Sequence, residues 1–136
     1  MNYVAKLSRE GKNWLVEFPD CPGCQTFGSS REEALEMAKD AVEGWLEVHL
    51  ADGAAPPRPR RRKGTAVGIG PRLSVALQIR WLREDLGITQ AQLAKRVGVS
   101  QQQVAKLENP SANPSLATLE AVAKGAGAVL DVKLVA

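Results

Sequence analysis

Apolar positions along the chain fall into three spacings, and each predicts a different kind of element. From Tyr3 to Ser8 and from Trp14 to Phe18, apolar residues alternate or run together around a polar turn, REGKN, which predicts a β-hairpin. A short extended piece near Gln25–Phe27 is a candidate third strand. Ser30 then opens a helix. Glu33, three residues on, suggests a capping box, and Ala34, Leu35, Ala38, Ala41, Val42, Trp45 and Leu46 form one stripe with acids on the other face. A unit of about 55 residues buries little core. It is therefore expected to lean on a further strand around Thr65–Ile69, or on a second copy of itself.

The second spacing lies in ITQAQLAKRVGVSQQQVAKLENP, Ile88 to Pro110. Leu93, Val97, Val99, Val104 and Leu107 predict two short helices sharing one buried face, broken at Gly98. Thr89 with Gln92, and Ser100 with Gln103, each have the spacing of a capping box. Gly98, Val99 and Ser100 supply the short turn that sets two helices at about 90–120° in a helix-turn-helix. Gln101 and Gln102 then fall in the first turn of the second helix, the end that enters a major groove in such motifs. A glutamine amide presents a donor beside an acceptor and can bind adenine N6 and N7 together. Polar cover on a solvated helix face is the simpler reading of three glutamines, but their place behind a capped turn favours base contact.

The third spacing closes the chain. AVLDVKLV alternates Val129, Leu130, Val132 and Leu134, which predicts a strand. A lone strand after helices has an unpaired edge, so pairing with its twin in a second subunit is expected.

Composition sets outer bounds: 136 residues, 44% hydrophobic and 24% charged, form ordinary globular material of one domain or two small ones. No apolar run approaches the length a membrane helix needs and no secretory signal is readable, so a cytoplasmic protein with no membrane contact is expected. Charge changes the picture when it is divided. Residues 1–55 carry five basic against ten acidic side chains, residues 56–70 five basic and none acidic, and residues 71–136 eight basic against five acidic. An acidic first part favours a basic protein partner, and a basic second part favours phosphate. The boundary is ADGAAPPRPRRRKG, where Pro and Gly stop regular structure and Arg60, Arg61 and Arg62 begin a basic run. That run is read as a solvated tether or, more sharply, as an arm along the DNA backbone or in its minor groove.

The two cysteines lie in CPGC, without the second ligand pair of a structural zinc site, and His49, the one histidine, is far off in sequence. They are read as loop cysteines, and neither a metal nor a cofactor is expected. Catalysis is not expected either. Glu17 and Asp20 have no evident reason to converge with the helix acids on a metal, and neither an activated nucleophile nor a glycine-rich phosphate cradle is readable.

Two resemblances add to this reading. TQAQLAKRVGVS, QQQVAKLEN and NPSLATLEAVAKGAG, within residues 73–126, resemble the phage-repressor and Cro-like (XRE) helix-turn-helix family. The resemblance implies that Gln90 holds a phosphate and that Gln101, Gln102 and Lys106 take the base-reading positions. Ser100 and Gln103 belong to the same DNA-facing helix start, and Asn109 sits against phosphate. Lys106 stands where many relatives carry a neutral polar residue, which leaves a guanine or a phosphate contact open there.

The first part resembles the HicB family of antitoxins through YVAKLSREGKNWLVEFPDCPGCQTFGSSREEALEMAKDAVEGWL, above all FPDCPGC, the TFG step and EEALEMAKDAV, with DGAAPP closing the module. This implies an α+β chain. Its N-terminal part is a partial ribonuclease H-like ββ(β)α(β) unit over residues 1–55, extending to 70 if a further strand joins it. A basic Pro/Arg linker covers 56–70, and an all-α five-helix Cro/repressor-like domain with a dimerisation strand covers 71–136. It also implies the partners: a small, basic HicA-like ribonuclease toxin that cleaves mRNA, operator DNA, and a homodimer or higher homo-oligomer. Asp20, Glu32, Glu33, Glu36, Asp40 and Glu43, with Glu47, are the acids that could meet the toxin. The alternative reading is a stand-alone helix-turn-helix regulator whose N-terminal unit senses a small molecule. A nuclease of the ribonuclease H type is a weaker third.

Overall fold

A computed structural model describes all residues, 1–136, as two compact units, Met1–Ser74 and Val75–Ala136. In the first, β1 (Asn2–Glu10), β2 (Asn13–Glu17) and β3 (Gln25–Gly28) form an antiparallel meander. Helix α1 (Arg31–Ala51) follows, and β4 (Thr65–Gly68) returns to the free edge of β1, giving the order β3-β2-β1-β4. The further strand expected around Thr65–Ile69 is thus supplied by the chain itself. Residues alternate along each strand, and Tyr3, Ala5, Val16 and Val67 turn inward. On α1, Ala34, Ala38, Val42 and Leu46 are buried at intervals of four, while Leu35, Ala41 and Trp45 flank them half-buried.

The start of α1 departs in one detail from its expected cap. The Ser30 hydroxyl accepts from the Glu33 N–H, but the Glu33 carboxylate reaches past Ser30 to the Ser29 N–H (3.3 Å) and hydroxyl (2.7 Å). Only half of the reciprocal box forms, and the acid instead holds the turn out of β3. That turn is tight because the helix begins over the last residue of the strand. A Cβ placed on Gly28 would lie 2.3 Å from the Ala34 backbone nitrogen.

Residues 56–70 are not a free tether. Pro56 is buried, the Tyr3 hydroxyl donates to the Pro57 carbonyl (2.6 Å), β4 lies within the stretch, and the Gly70 N–H donates to Glu43 (2.8 Å). The stretch belongs to the first unit, because a sheet edge and buried polar groups of that unit need it as a partner.

The second unit contains α2 from Val75 onward (the helix spans Pro71–Leu86), α3 (Gln90–Val97), α4 (Gln101–Leu107) and α5 (Leu116–Gly125). Ile79, Leu93, Ala94, Val104, Leu107, Val122 and Ala126 make its core, with Val97 and Val99 packed against it. Four helices, not five, build this domain. The expected terminal strand is also absent from the single chain: residues 129–136 carry no regular structure, and Val129, Leu134 and Val135 are at least 90% exposed. A strand is defined by its neighbour, and nothing within the helical unit pairs with this segment. No helix is long and apolar enough to cross a membrane.

Replacing Gly28 by Ala should force α1 away from β3 and lower stability by about 1–3 kcal/mol. The midpoint of urea unfolding checks this, with Gly44→Ala as the control of opposite sign: an added Cβ meets nothing there, so helix propensity should raise stability by about 0.5–1 kcal/mol.

Candidate nucleic-acid interface and the Asp20 clasp

The corner between α3 and α4 is built by local chemistry. Both reciprocal boxes form. The Thr89 hydroxyl accepts from the Gln92 N–H (3.1 Å) while the Gln92 amide oxygen accepts from the Thr89 N–H (2.9 Å), and Ser100 and Gln103 repeat the arrangement at 3.2 and 3.0 Å. Helix α3 stops at Gly98, whose φ of 83° is a left-handed conformation that a side chain would strain. The caps sort the three glutamines. Gln103 and Ser100 spend their oxygens on each other's backbone, so they set where α4 begins, whereas Gln101 and Gln102 stand exposed in its first turn. Lys106 is exposed one turn beyond Gln102, two residues, about 200° of helix rotation, from buried Val104. Gln90 is half-buried as the first residue of α3. The Asn109 side-chain oxygen accepts from both the N–H and the hydroxyl of Ser111 at 2.9 Å, which folds the loop leaving α4.

A buried ion pair holds this corner to α2. Arg83 Nε and Nη2 donate to the two oxygens of Glu108, each at 2.9 Å, and Nη1 donates to the Ile88 carbonyl at 3.1 Å. Arg80 approaches Glu108 at 3.7 Å and pairs with Glu84 at 2.7 Å. The bond to Glu108 outweighs burial and raises the Arg83 pKa. One guanidinium thereby ties the end of α2, the residue before the α3 cap and the end of α4. Sequence reasoning missed this pair. The available signal was a single acid, Glu108, directly after buried Leu107, but nothing local names its partner 25 residues away.

In the first unit, Asp20 has a different place from the one expected. It is 8% exposed, and both its oxygens are filled: the Arg60 N–H donates to Oδ2 (2.9 Å), and Arg62 Nε and Nη2 donate to Oδ1 (2.9 and 2.7 Å). Burial alone would raise its pKa. The Arg60 amide, the Arg62 hydrogen bonds and the charges of both arginines prevail and lower it. Asp20 is therefore a clasp for the segment after α1 and offers no charge to a partner. Cys21 and Cys24 are buried free thiols in the same loop, and burial pushes Cys21 up to about 12, so at neutral pH it is a protonated, unreactive group. Burial also raises the Tyr3 phenol, whose proton lies on the Pro57 carbonyl.

The remaining acids divide. Glu32, Glu36 and Asp40 are exposed at intervals of four, and each lies two residues, about 200° of helix rotation, from the buried stripe. Glu47 is exposed further along, Glu33 is exposed but bonded to Ser29, and Glu43 is half-buried on the Gly70 N–H. Nowhere do three His, Cys, Asp or Glu side chains come together as metal ligands, and His49 stacks on Trp45 at 3.7 Å.

Both units match known families. The family described as HicB-like antitoxin of bacterial toxin-antitoxin systems matches residues 3–65, and the helix-turn-helix family matches residues 79–128. The chain is 34% identical over 137 residues to Antitoxin HicB 1 of Photorhabdus laumondii, covering 98% of this chain and 87% of that one. The chain belongs to the HicB-like antitoxin family. Antitoxin HicB of Escherichia coli strain K12 is 31% identical over 124 residues, 90% of either chain. The immunity repressor protein of Bacillus phage phi105 is 40% identical over 55 residues, 40% of this chain and 38% of its own. As a HicB-like chain with a helix-turn-helix, the protein carries the antitoxin module and the DNA-binding module on separate units.

Glu108→Leu should lower stability by about 3 kcal/mol by stranding Arg83, and adding Arg83→Met should recover at least half of that, because a fully apolar replacement removes the uncompensated charge. Urea midpoints of the two variants check it. Asp20→Asn should cost about 1–3 kcal/mol at pH 7. A lowered folded-state pKa contributes stability that is present above the ordinary value of 3.8 and is lost as pH falls through the folded value. The difference between wild type and Asp20→Asn should thus stay level from pH 7 to about pH 5 and close below about pH 4; unfolding curves across that range measure it.

Proposed function

We propose that this chain is a two-ended, non-enzymatic cytoplasmic regulator: its N-terminal unit binds and neutralises a small basic HicA-like mRNA-cleaving toxin, and its C-terminal unit represses the operon encoding both. The observation that carries the reading is the pairing, in one chain, of an antitoxin-family unit with a fully capped helix-turn-helix that leaves two glutamines exposed at its reading end.

On the DNA side, Gln101 and Gln102 read base edges, Lys106 contacts a guanine or a phosphate, and Gln90 and Asn109 hold the backbone. Ser100 and Gln103 act by fixing where α4 starts. A second copy completes the reader. The apolar tail around Val129–Val135, exposed in one chain, pairs with its twin and sets two α4 helices about 34–36 Å apart on a pseudo-palindromic operator. On the toxin side, the ridge of Glu32, Glu36 and Asp40, continued by Glu47, meets the basic toxin.

Growth of cells expressing the adjacent short reading frame, with and without this chain, tests the reading. Wild type restores growth, and the triple reversal Glu32→Lys, Glu36→Lys, Asp40→Lys weakens rescue. Gln101→Ala leaves rescue intact but costs about 1–3 kcal/mol of discrimination at one operator base, read by fluorescence anisotropy. A harmless reading frame removes the antitoxin role, and undiminished discrimination removes Gln101 as a reader.

A further inference from the structure

The clasp on Asp20 shapes the segment that follows it. Residues 57–62 read Pro-Arg-Pro-Arg-Arg-Arg, and two prolines with fixed φ hold such a stretch extended. Arg58, Arg60 and Arg62, with Pro19, Asp20 and Pro57, line a cavity of about 510 Å³ on the N-terminal unit. Asp20 is the one carboxylate in this lining, and both its oxygens are occupied by the Arg60 amide and the Arg62 guanidinium. With three arginines on its walls, the lining is cationic. Arg60 and Arg62, with Arg61, also line an adjoining cavity of about 420 Å³ beside Asn2 and Val4, which extends the cationic surface across the segment.

The geometry points to a preformed phosphate-binding site on the N-terminal unit, in which Arg58 and Arg60, braced by the Asp20–Arg62 clasp, take a backbone phosphate of nucleic acid. Guanidinium groups suit that ligand because their planar fork matches two phosphate oxygens. A tethered arm would have to lose chain entropy on binding. Here the backbone is already fixed by the Tyr3 hydroxyl at Pro57 and by Asp20 at Arg60, so little further ordering is required. The site is distinct from the helix-turn-helix. It deepens the proposed nucleic-acid role by moving the basic surface from a flexible linker to a rigid pocket, and it adds Arg58, which the sequence pattern did not single out.

The test uses the full chain and its Arg58→Ala/Arg60→Ala variant. The substitutions retain the Arg60 amide and the Arg62 pair, and a wild-type-like unfolding midpoint verifies that the clasp survives. In the first arm, inorganic phosphate is titrated while the Arg62 Nε–H resonance is followed by NMR. Phosphate should shift it in the wild type and leave it unmoved in the variant. No shift in the wild type, an equal shift in both, or an equal shift with acetate would overturn the site. In the second arm, affinity for a non-operator DNA duplex and for a single-stranded RNA of equal length is measured against salt. For every phosphate that the variant no longer neutralises, the slope of log affinity against log salt should flatten by about 0.9 on the duplex or about 0.7 on the strand. A flatter slope on one of them supports the site and identifies the source of its phosphate, whereas unchanged slopes on both overturn it. Failure of the operator reading shows separately, as unaltered base discrimination in Gln101→Ala while phosphate still moves Arg62.

Discussion

A carboxylate taken out of water must be paired, and each unit of this chain is organised around one. Units of about 60–75 residues bury too little apolar surface for packing alone to hold distant segments in register. In the first unit, Asp20 draws Arg60 and Arg62 onto the loop between β2 and β3, and the Tyr3 hydroxyl fastens Pro57 beside them. β4 then follows directly from this anchored stretch to the edge of β1. In the second unit, Glu108 takes the Arg83 guanidinium and fixes α4 against α2. Removing Glu108 would leave half-buried Arg83 without its counter-charge, a larger cost than the net gain from making the pair, whereas removing Asp20 would release the exposed Arg62 and the Arg60 amide from the loop. Both pairs thus act less as sources of stability than as determinants of which segments meet.

The same contrast separates what could be read in the sequence from what could not. The stripe on α1, the paired caps of α3 and α4 and the hairpin of β1 and β2 are encoded within about four residues of themselves, so their spacing announces them. Glu33 shows how narrow that margin is. The spacing from Ser30 is right, yet the carboxylate finds the Ser29 amide and hydroxyl, and a box becomes a brace one residue earlier. The clasp joins residues 40 and 42 apart, and the Arg83–Glu108 pair spans 25. No periodicity carries such information. The tail fails for another reason: its alternation is strand-like, but a strand exists only opposite a partner, and the isolated chain provides none.

Folding also redraws the charge map. Divided along the sequence, the chain has an acidic first part, a basic stretch and a mildly basic remainder. Divided by compact units, residues 1–74 hold eleven basic and ten acidic side chains, because the basic stretch folds onto the acidic part. Net attraction between an acidic unit and a basic partner therefore has no basis at the level of the whole unit. What remains is local: a ridge of acids on the outer face of α1, and an arginine-lined cavity beside Asp20. One small unit therefore carries both an acidic ridge and a cationic lining, and the residue that keeps the second in place is a carboxylate that charge counting along the sequence assigns to the first.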